Sequence, residues 1–206
     1  MQISVNQGRV KLFIRINNFM PFTKTALDGA FLFEPMVFED ERGFFFESYN
    51  EQVFIANSVT PRFVQDNQSY SKRGVIRGLH YQLAPFAQSK LVRVLQGRIF
   101  DVIVDIRKGS PGFGQWIGFE LSSQNKKQLF VPKGFAHGFS VLSDTADVLY
   151  KCDQFYHKES EAGIRFDDSA LGIDWKTSKE QEIVSSKDLQ LPSFATAKNN
   201  FTFRID

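Results

Sequence analysis

The chain has 206 residues, 42% of them hydrophobic and 15% aromatic, enough to bury one sizeable core or two small ones, and a single domain is expected. Its 25 Lys and Arg are interspersed with 23 Asp and Glu for a net charge of +2, so the basic stripe of a nucleic-acid binder is missing. The one cysteine, Cys152, has no partner for an internal disulfide, and no apolar run approaches the roughly 20 residues of a membrane span; a soluble, cytoplasmic protein that engages neither nucleic acid nor membrane is expected.

In chain order, residues 1–19 contain Val10-Lys11-Leu12-Phe13-Ile14-Arg15-Ile16, an apolar stretch broken by two cations and a poor secretory signal. They read as a non-catalytic N-terminal extension, either an extra edge strand or a segment ahead of an internal start at Met20, and residues 20–206 read as the domain proper. An extended run at 30–38 precedes the polar turn Glu39-Asp40-Glu41-Arg42-Gly43, a second run at 44–49 and one helix at 50–57. Strands are predicted at 63–70, 75–83, 90–96, 99–106, 116–121, 128–131, 139–142 and 148–152, separated by turns such as Lys72-Arg73-Gly74 and Gln96-Gly97-Arg98. So many short, evenly spaced strands argue for an all-β antiparallel sandwich or jelly roll. After Trp175 a short helix and a tail are expected on the outside, and the 23 Phe are expected to fill the barrel.

Three histidines are few enough to weigh singly. In an ideal pleat Arg77 and Leu79 point opposite to Gly78 and His80, and the glycine suggests a bulge or a ligand close to the backbone. Taken alone, His80 is more often a hydrogen-bonded structural residue than a catalyst. His137 in Pro132-Lys133-Gly134-Phe135-Ala136-His137-Gly138 is flanked by glycines that allow a tight bend or close ligand approach, and His157 reads as a solvated loop residue. No His-x-His exists, since Gln82 stands two beyond His80, so no catalytic metal is expected. Gly112-Phe113-Gly114 opens no helix and reads as a hairpin turn rather than a phosphate cradle.

Acid–base chemistry remains. A carbon beside a ketone loses its proton when a base of near-neutral pKa is set against it and a cation meets the developing enolate oxygen. His80 and Lys90 supply those two groups. Inversion needs a second proton donor on the opposite face, for which Tyr150 on a predicted strand is a candidate, although its spacing fits a core aromatic with a satisfied hydroxyl equally well.

A series of motifs then resembles one family. Phe38-Glu39-Asp40-Glu41-Arg42-Gly43-Phe44-Phe45, Phe63-Val64-Gln65-Asp66-Asn67, Arg77-Gly78-Leu79-His80-Tyr81-Gln82, Lys90-Leu91-Val92-Arg93, the stretch around His137 and Leu149-Tyr150-Lys151 are similar, in order, to the dTDP-4-dehydrorhamnose 3,5-epimerase family. The likeness runs from about Met20 to Trp175 and extends more weakly to Ser186-Lys187-Asp188.

The resemblance implies a cupin-type double-stranded β-helix with short peripheral helices, a homodimer, and cofactor-independent epimerisation at C3 and C5 of a dTDP-4-keto-6-deoxyhexose. It assigns His80 as general base with Asp188 as its partner, Lys90 to the C4 oxygen, His137 as a further polar contact, and Tyr150 as the acid on the opposite face. Arg42, Arg77 and Lys187 are carried over to the diphosphate or its surroundings. Glu47 and Gln65-Asp66-Asn67 match thymidine and ribose contacts, Tyr156 the ring that stacks on thymine, and Phe45 and Glu161 further substrate contacts. An N-terminal segment crossing to the partner subunit would place Arg42 and Glu47 in the neighbour's site. For Asp188 a capping interaction with Ser185 competes with the catalytic assignment, and for Arg42, Glu161 and Lys187 simple exposed charge does. A single-centre dTDP-4-keto-sugar epimerase or ketoisomerase, and a non-catalytic nucleotide-sugar-binding cupin, are the alternative functions.

Overall fold

The strands form because most of these segments bury apolar side chains on one or both faces, and β-branched and aromatic residues fit such pleated, packed surfaces. The structure is a computed structural model that describes residues 21–59 and 62–204, so the expectations for residues 1–19 lie outside the described residues. In order the strands are β1 (Phe22–Lys24), β2 (Phe31–Phe33), β3 (Phe38–Asp40), β4 (Gly43–Phe45), β5 (Gln65–Lys72), β6 (Val75–Gln82) and β7 (Lys90–Gln96). Then follow β8 (Arg98–Asp105), β9 (Trp116–Ser122), β10 (Gln128–Val131), β11 (Phe135–Val141), β12 (Thr145–Cys152), β13 (Glu161–Gly163) and β14 (Ile183–Val184). The helices are α1 (Glu51–Ala56) and α2 (Ser186–Leu189). None is long and apolar enough to cross a membrane among the described residues.

One sheet runs β1-β2-β10-β7-β12-β5 and the other β13-β6-β11-β8-β9, with β14 added parallel to β6. They face each other as a cupin-type jelly roll. Between them lies an apolar layer that includes Val92, Val94 and Leu129 from the first sheet and Ile99, Ile103, Leu121 and Phe139 from the second. The second sheet is also covered outside, where Ile76, Leu79, Val102 and Val104 meet Ile164, Phe166, Leu171 and Trp175. That double burial is why Val102-Ile103-Val104 is a continuous apolar run rather than an alternating one.

The phenylalanines depart from the expectation that they fill the barrel. Phe33, Phe54 and Phe130, with Phe22, Phe31, Phe63 and Tyr49, form a separate layer on the outer face of the first sheet. Helix α1 sits there because Phe54 plugs into this layer and the Asn50 side chain caps it by accepting from Gln52 N–H. A second departure concerns residues 135–138, whose flanking glycines suggest a bend; they are instead the first half of β11. Gly134, at φ +85°, makes the turn. Gly138 lies within the strand because a Cβ there would come within 2.6 Å of the Arg77 carbonyl. The predicted turn at 39–43 is the tip of the β3–β4 ribbon, whose six strand residues are all exposed. The C-terminal tail is mostly irregular, with α2 only four residues long.

Candidate active site

The face on which His80 lies is decided by one extra residue. On β6 the partners are Arg77↔Phe139 and His80↔His137, so Gly78 and Leu79 together stand against the single Gly138 of β11. This is a β-bulge, and it reverses the alternation of side chains beyond it. Before it, Val75 packs on the inter-sheet layer and Arg77 donates to the Ser71 hydroxyl at 3.0 Å, while Ile76 faces outward. After it, Leu79 and Tyr81 join Ile76 in the outer layer, and His80 and Gln82 turn inward to a cavity. An ideal pleat would have put Arg77 and His80 on opposite faces; the bulge puts both inside. Gly78 is required there, since a Cβ would meet Gly138 Cα at 2.6 Å and the His137 carbonyl at 2.7 Å.

The same irregularity admits Asp188. Along one edge of β6, β13 pairs with residues 80–82, Ile164 just beyond it exchanges two backbone hydrogen bonds with Leu79, and β14 pairs with residues 75–76, leaving Gly78 without a strand partner between them. Asp188 occupies that gap: one carboxylate oxygen accepts from Gly78 N–H at 3.3 Å and the other lies 2.8 Å from His80 Nε2. The Ser185 hydroxyl accepts from Asp188 N–H at 3.1 Å, so the cap anticipated from the sequence forms, and it leaves the carboxylate for the histidine. Burial pushes the Asp188 carboxyl up, but the His80 ring, Gly78 N–H and Ser185 outweigh it and hold the group below the usual carboxylate range.

Lys90 and Tyr150 approach from the opposite sheet, on the adjacent strands β7 and β12, with the ammonium 5.9 Å from the tyrosine ring centre. Lys90 Nζ also reaches the His80 carbonyl at 3.5 Å. Burial pushes the lysine pKa down, with Cys152, Asp101 and Glu161 opposing it, and pushes the Tyr150 hydroxyl up. Beneath them the Cys152 thiol, a weak acceptor from Asn67, is raised to about 11 by burial.

His80, Lys90 and Tyr150 line a cavity of about 180 Å³ together with Gln65, Asn67, Tyr156 and Glu161. At its mouth Glu161 accepts from the Tyr156 hydroxyl at 3.0 Å and from Lys187 at 2.7 Å. His137 is buried in the wall, 2.7 Å from Asp101, with burial lowering its pKa against the pull of Asp101. The other oxygen of Asp101 is buried without a hydrogen-bond partner among the described residues.

Other predicted residues are not gathered at this cavity. Asp66 points outward to Lys151 at 3.0 Å. Arg42 pairs with Asp40 at 2.5 Å at the exposed ribbon tip, Phe45 is 68% exposed on β4, and Glu47 accepts from Asn50. His157, read as solvated, instead stacks on Phe86 at 3.7 Å between ring centres. Gln82, Gln88 and Asp101 also belong to the cavity or its wall; for Gln82 the sequence signal is simple alternation, since it stands two residues beyond His80 on the same face of β6. Among the described residues no group of three or more His, Cys, Asp or Glu side chains gathers as a set of metal ligands.

A jelly roll carrying a histidine–carboxylate pair on one sheet and a lysine and tyrosine on the other, around one cavity, is a cupin built for acid–base chemistry. Residues 24–196 match the family model described as dTDP-4-dehydrorhamnose 3,5-epimerase, and the chain belongs to this family of isomerases. It is 51% identical over 181 residues to the dTDP-4-dehydrorhamnose 3,5-epimerase of Shigella flexneri, covering 86% of this chain and 98% of the relative. The crystal structure of dTDP-6-deoxy-D-glucose-3,5-epimerase from Legionella pneumophila in complex with dTDP-4-keto-L-rhamnose superposes with a TM-score of 0.82 at 49% identity, covering 85% of this chain and 93% of that one. A 3'-monoepimerase from Streptomyces bikiniensis, in complex with dTDP-quinovose, gives a TM-score of 0.79 at 31% identity, covering 84% and 87%.

Proposed function

We propose that this isomerase epimerises C3 and C5 of dTDP-4-dehydro-6-deoxy-D-glucose to give dTDP-4-dehydro-L-rhamnose, in cytoplasmic dTDP-L-rhamnose biosynthesis, with no cofactor. The observation that carries the residue roles is the His80–Asp188 pair at 2.8 Å on one side of a cavity whose other side presents Lys90 and Tyr150. The C4 ketone acidifies the protons on C3 and C5. His80 removes one of them, and Asp188, held as a carboxylate, fixes the ring and stabilises the imidazolium that forms. The negative charge moves to the C4 oxygen, where the Lys90 ammonium meets it in a poorly solvated site in which one such contact is worth far more than in water. Tyr150, kept protonated by burial, then gives its proton to the opposite face of the carbon and inverts it. Proton exchange with solvent resets base and acid before the second carbon reacts.

The nucleotide half is assigned to the mouth of the cavity. Tyr156 stacks on thymine, Gln65 and Asn67 contact the nucleoside, and Glu161, Lys187 and Arg77 meet the sugar and diphosphate. Arg42, Phe45 and Glu47 serve the site of the partner in a homodimer. Their support is the β3–β4 ribbon, which pairs with no other strand among the described residues and carries Phe38, Phe44 and Phe45 more than half exposed.

The likeness to a 3'-monoepimerase favours a second reading, inversion at one carbon only. Incubation with dTDP-4-keto-6-deoxyglucose in deuterated water separates the readings. Deuterium at C3 and C5 with inverted product is expected. Label at one carbon would establish the single-centre reading, and none would refute catalysis.

A further inference from the structure

The aromatic ring assigned to the nucleobase is carried by a loop whose backbone is held largely by glutamine side chains: Gln88 donates to the Gln154 carbonyl at 2.7 Å, and Gln82 and Gln65 hold the three residues that follow. Gln82, 4% exposed, ends β6 two residues after His80 and faces the same cavity. Its carbonyl oxygen accepts from His157 N–H at 2.7 Å, and its amide nitrogen donates to the Phe86 carbonyl at 2.7 Å and the Phe155 carbonyl at 3.2 Å. Gln65, at the start of β5 in the other sheet, accepts from Tyr156 N–H at 2.9 Å. Three consecutive residues, 155 to 157, are thus pinned to both sheets at once. The loop around Phe86 is tied into the same knot, because its ring lies on His157 with the planes only 2° apart.

Nothing else about the Tyr156 ring explains its placement. It is 55% exposed and belongs to none of the apolar clusters; its hydroxyl bond to Glu161 fixes only its tip. The ring direction is therefore set by the backbone beneath it; Gln65 holds that backbone at Tyr156 itself and Gln82 on either side of it, at Phe155 and His157.

We propose that Gln82 is a positioning residue for nucleotide recognition: it couples the strand bearing His80 to the Tyr156 loop and holds the ring preorganised for the base. This rests on the assignment of Tyr156 to thymine. A buried amide with three good partners fixes geometry more tightly than apolar contact, because losing any of them strands a polar group. Holding the ring before binding removes an ordering cost that would otherwise weaken affinity.

The test uses calorimetric binding of dTDP together with steady-state kinetics on dTDP-4-keto-6-deoxyglucose, for Gln82→Leu, Tyr156→Ala and the double variant. Gln82→Leu is expected to raise the dTDP Kd and the KM by roughly tenfold, the scale of a compromised base–aromatic stack, with kcat nearly unchanged. Because Gln82 acts through Tyr156, the double variant is expected to bind dTDP no more weakly than Tyr156→Ala alone. A lowered kcat at unchanged KM, or additive effects in the double variant, would overturn the proposal. Loss of affinity in Tyr156→Ala but not in Gln82→Leu would refute the positioning role alone, whereas unchanged affinity in Tyr156→Ala would refute the thymine assignment itself. Should Gln82→Leu not fold, Gln82→Asn, which keeps an amide but is one methylene too short to reach both loops, is read by the same criteria.

Discussion

Two histidine–carboxylate pairs stand side by side on neighbouring strands, and only one opens onto the cavity. His80 and Asp188 are 2.8 Å apart with the His80 side chain 33% exposed, while His137 and Asp101 are 2.7 Å apart and 7% and 0% exposed. His80 and His137 are even direct partners across β6 and β11. The difference teaches that a histidine–carboxylate pair is not itself a catalytic signature: access decides. Where the ring reaches a cavity, the carboxylate can support proton transfer; where it is sealed in, the same bond satisfies a polar group that burial would otherwise penalise.

The sharpest way to break the comparison is to remove each histidine in turn. His80→Ala is expected to cut solvent exchange at C3 and C5 by about 10³-fold or more, measured by NMR in deuterated water. Exchange that survives would remove His80 from the mechanism. Lys90→Met comes next: kcat should fall about 10²–10³-fold, the cost of one donor to a developing oxyanion. Its stability should hold or rise, because burial already disfavours the ammonium. His137→Ala is the converse case. It should destabilise the fold by about 3 kcal/mol in denaturant titration, since it leaves Asp101 buried without its partner, and it should retain exchange.

The smallest effect sharpens the role of Asp188. Its pKa lies below the ordinary carboxylate value in the folded chain, so its contribution to stability is present above that ordinary value and is lost as pH falls through the lowered one. The stability gap between the unmodified chain and Asp188→Asn should therefore be full at neutral pH and close in acid. A gap that widens on acidification would contradict the assignment of a stabilised carboxylate.

Much of this arrangement was legible in the sequence. The strands at residues 90–96 and 128–131 and the helix near residues 50–57 follow from local pattern and an Asn cap. What was hidden depends on distant partners. The short strands β1, β13 and β14 have little pattern of their own and exist because an edge of another strand is available to pair with. Residues 135–138 look like a bend because glycines flank them, yet Gly138 is small to admit β6 rather than to turn the chain. The face of His80 was beyond periodicity, since a single bulged residue reverses every side chain after it. Asp188 was reachable only through family resemblance, 108 residues from the ring it touches.

The central claim is that base and acid are separate groups on opposite walls of one cavity. Deuterium incorporation at C3 and C5, followed side by side for His80→Ala and Tyr150→Phe, tests it most directly. The account predicts no incorporation in His80→Ala and continued incorporation without inversion in Tyr150→Phe; equal and complete loss in both would contradict it.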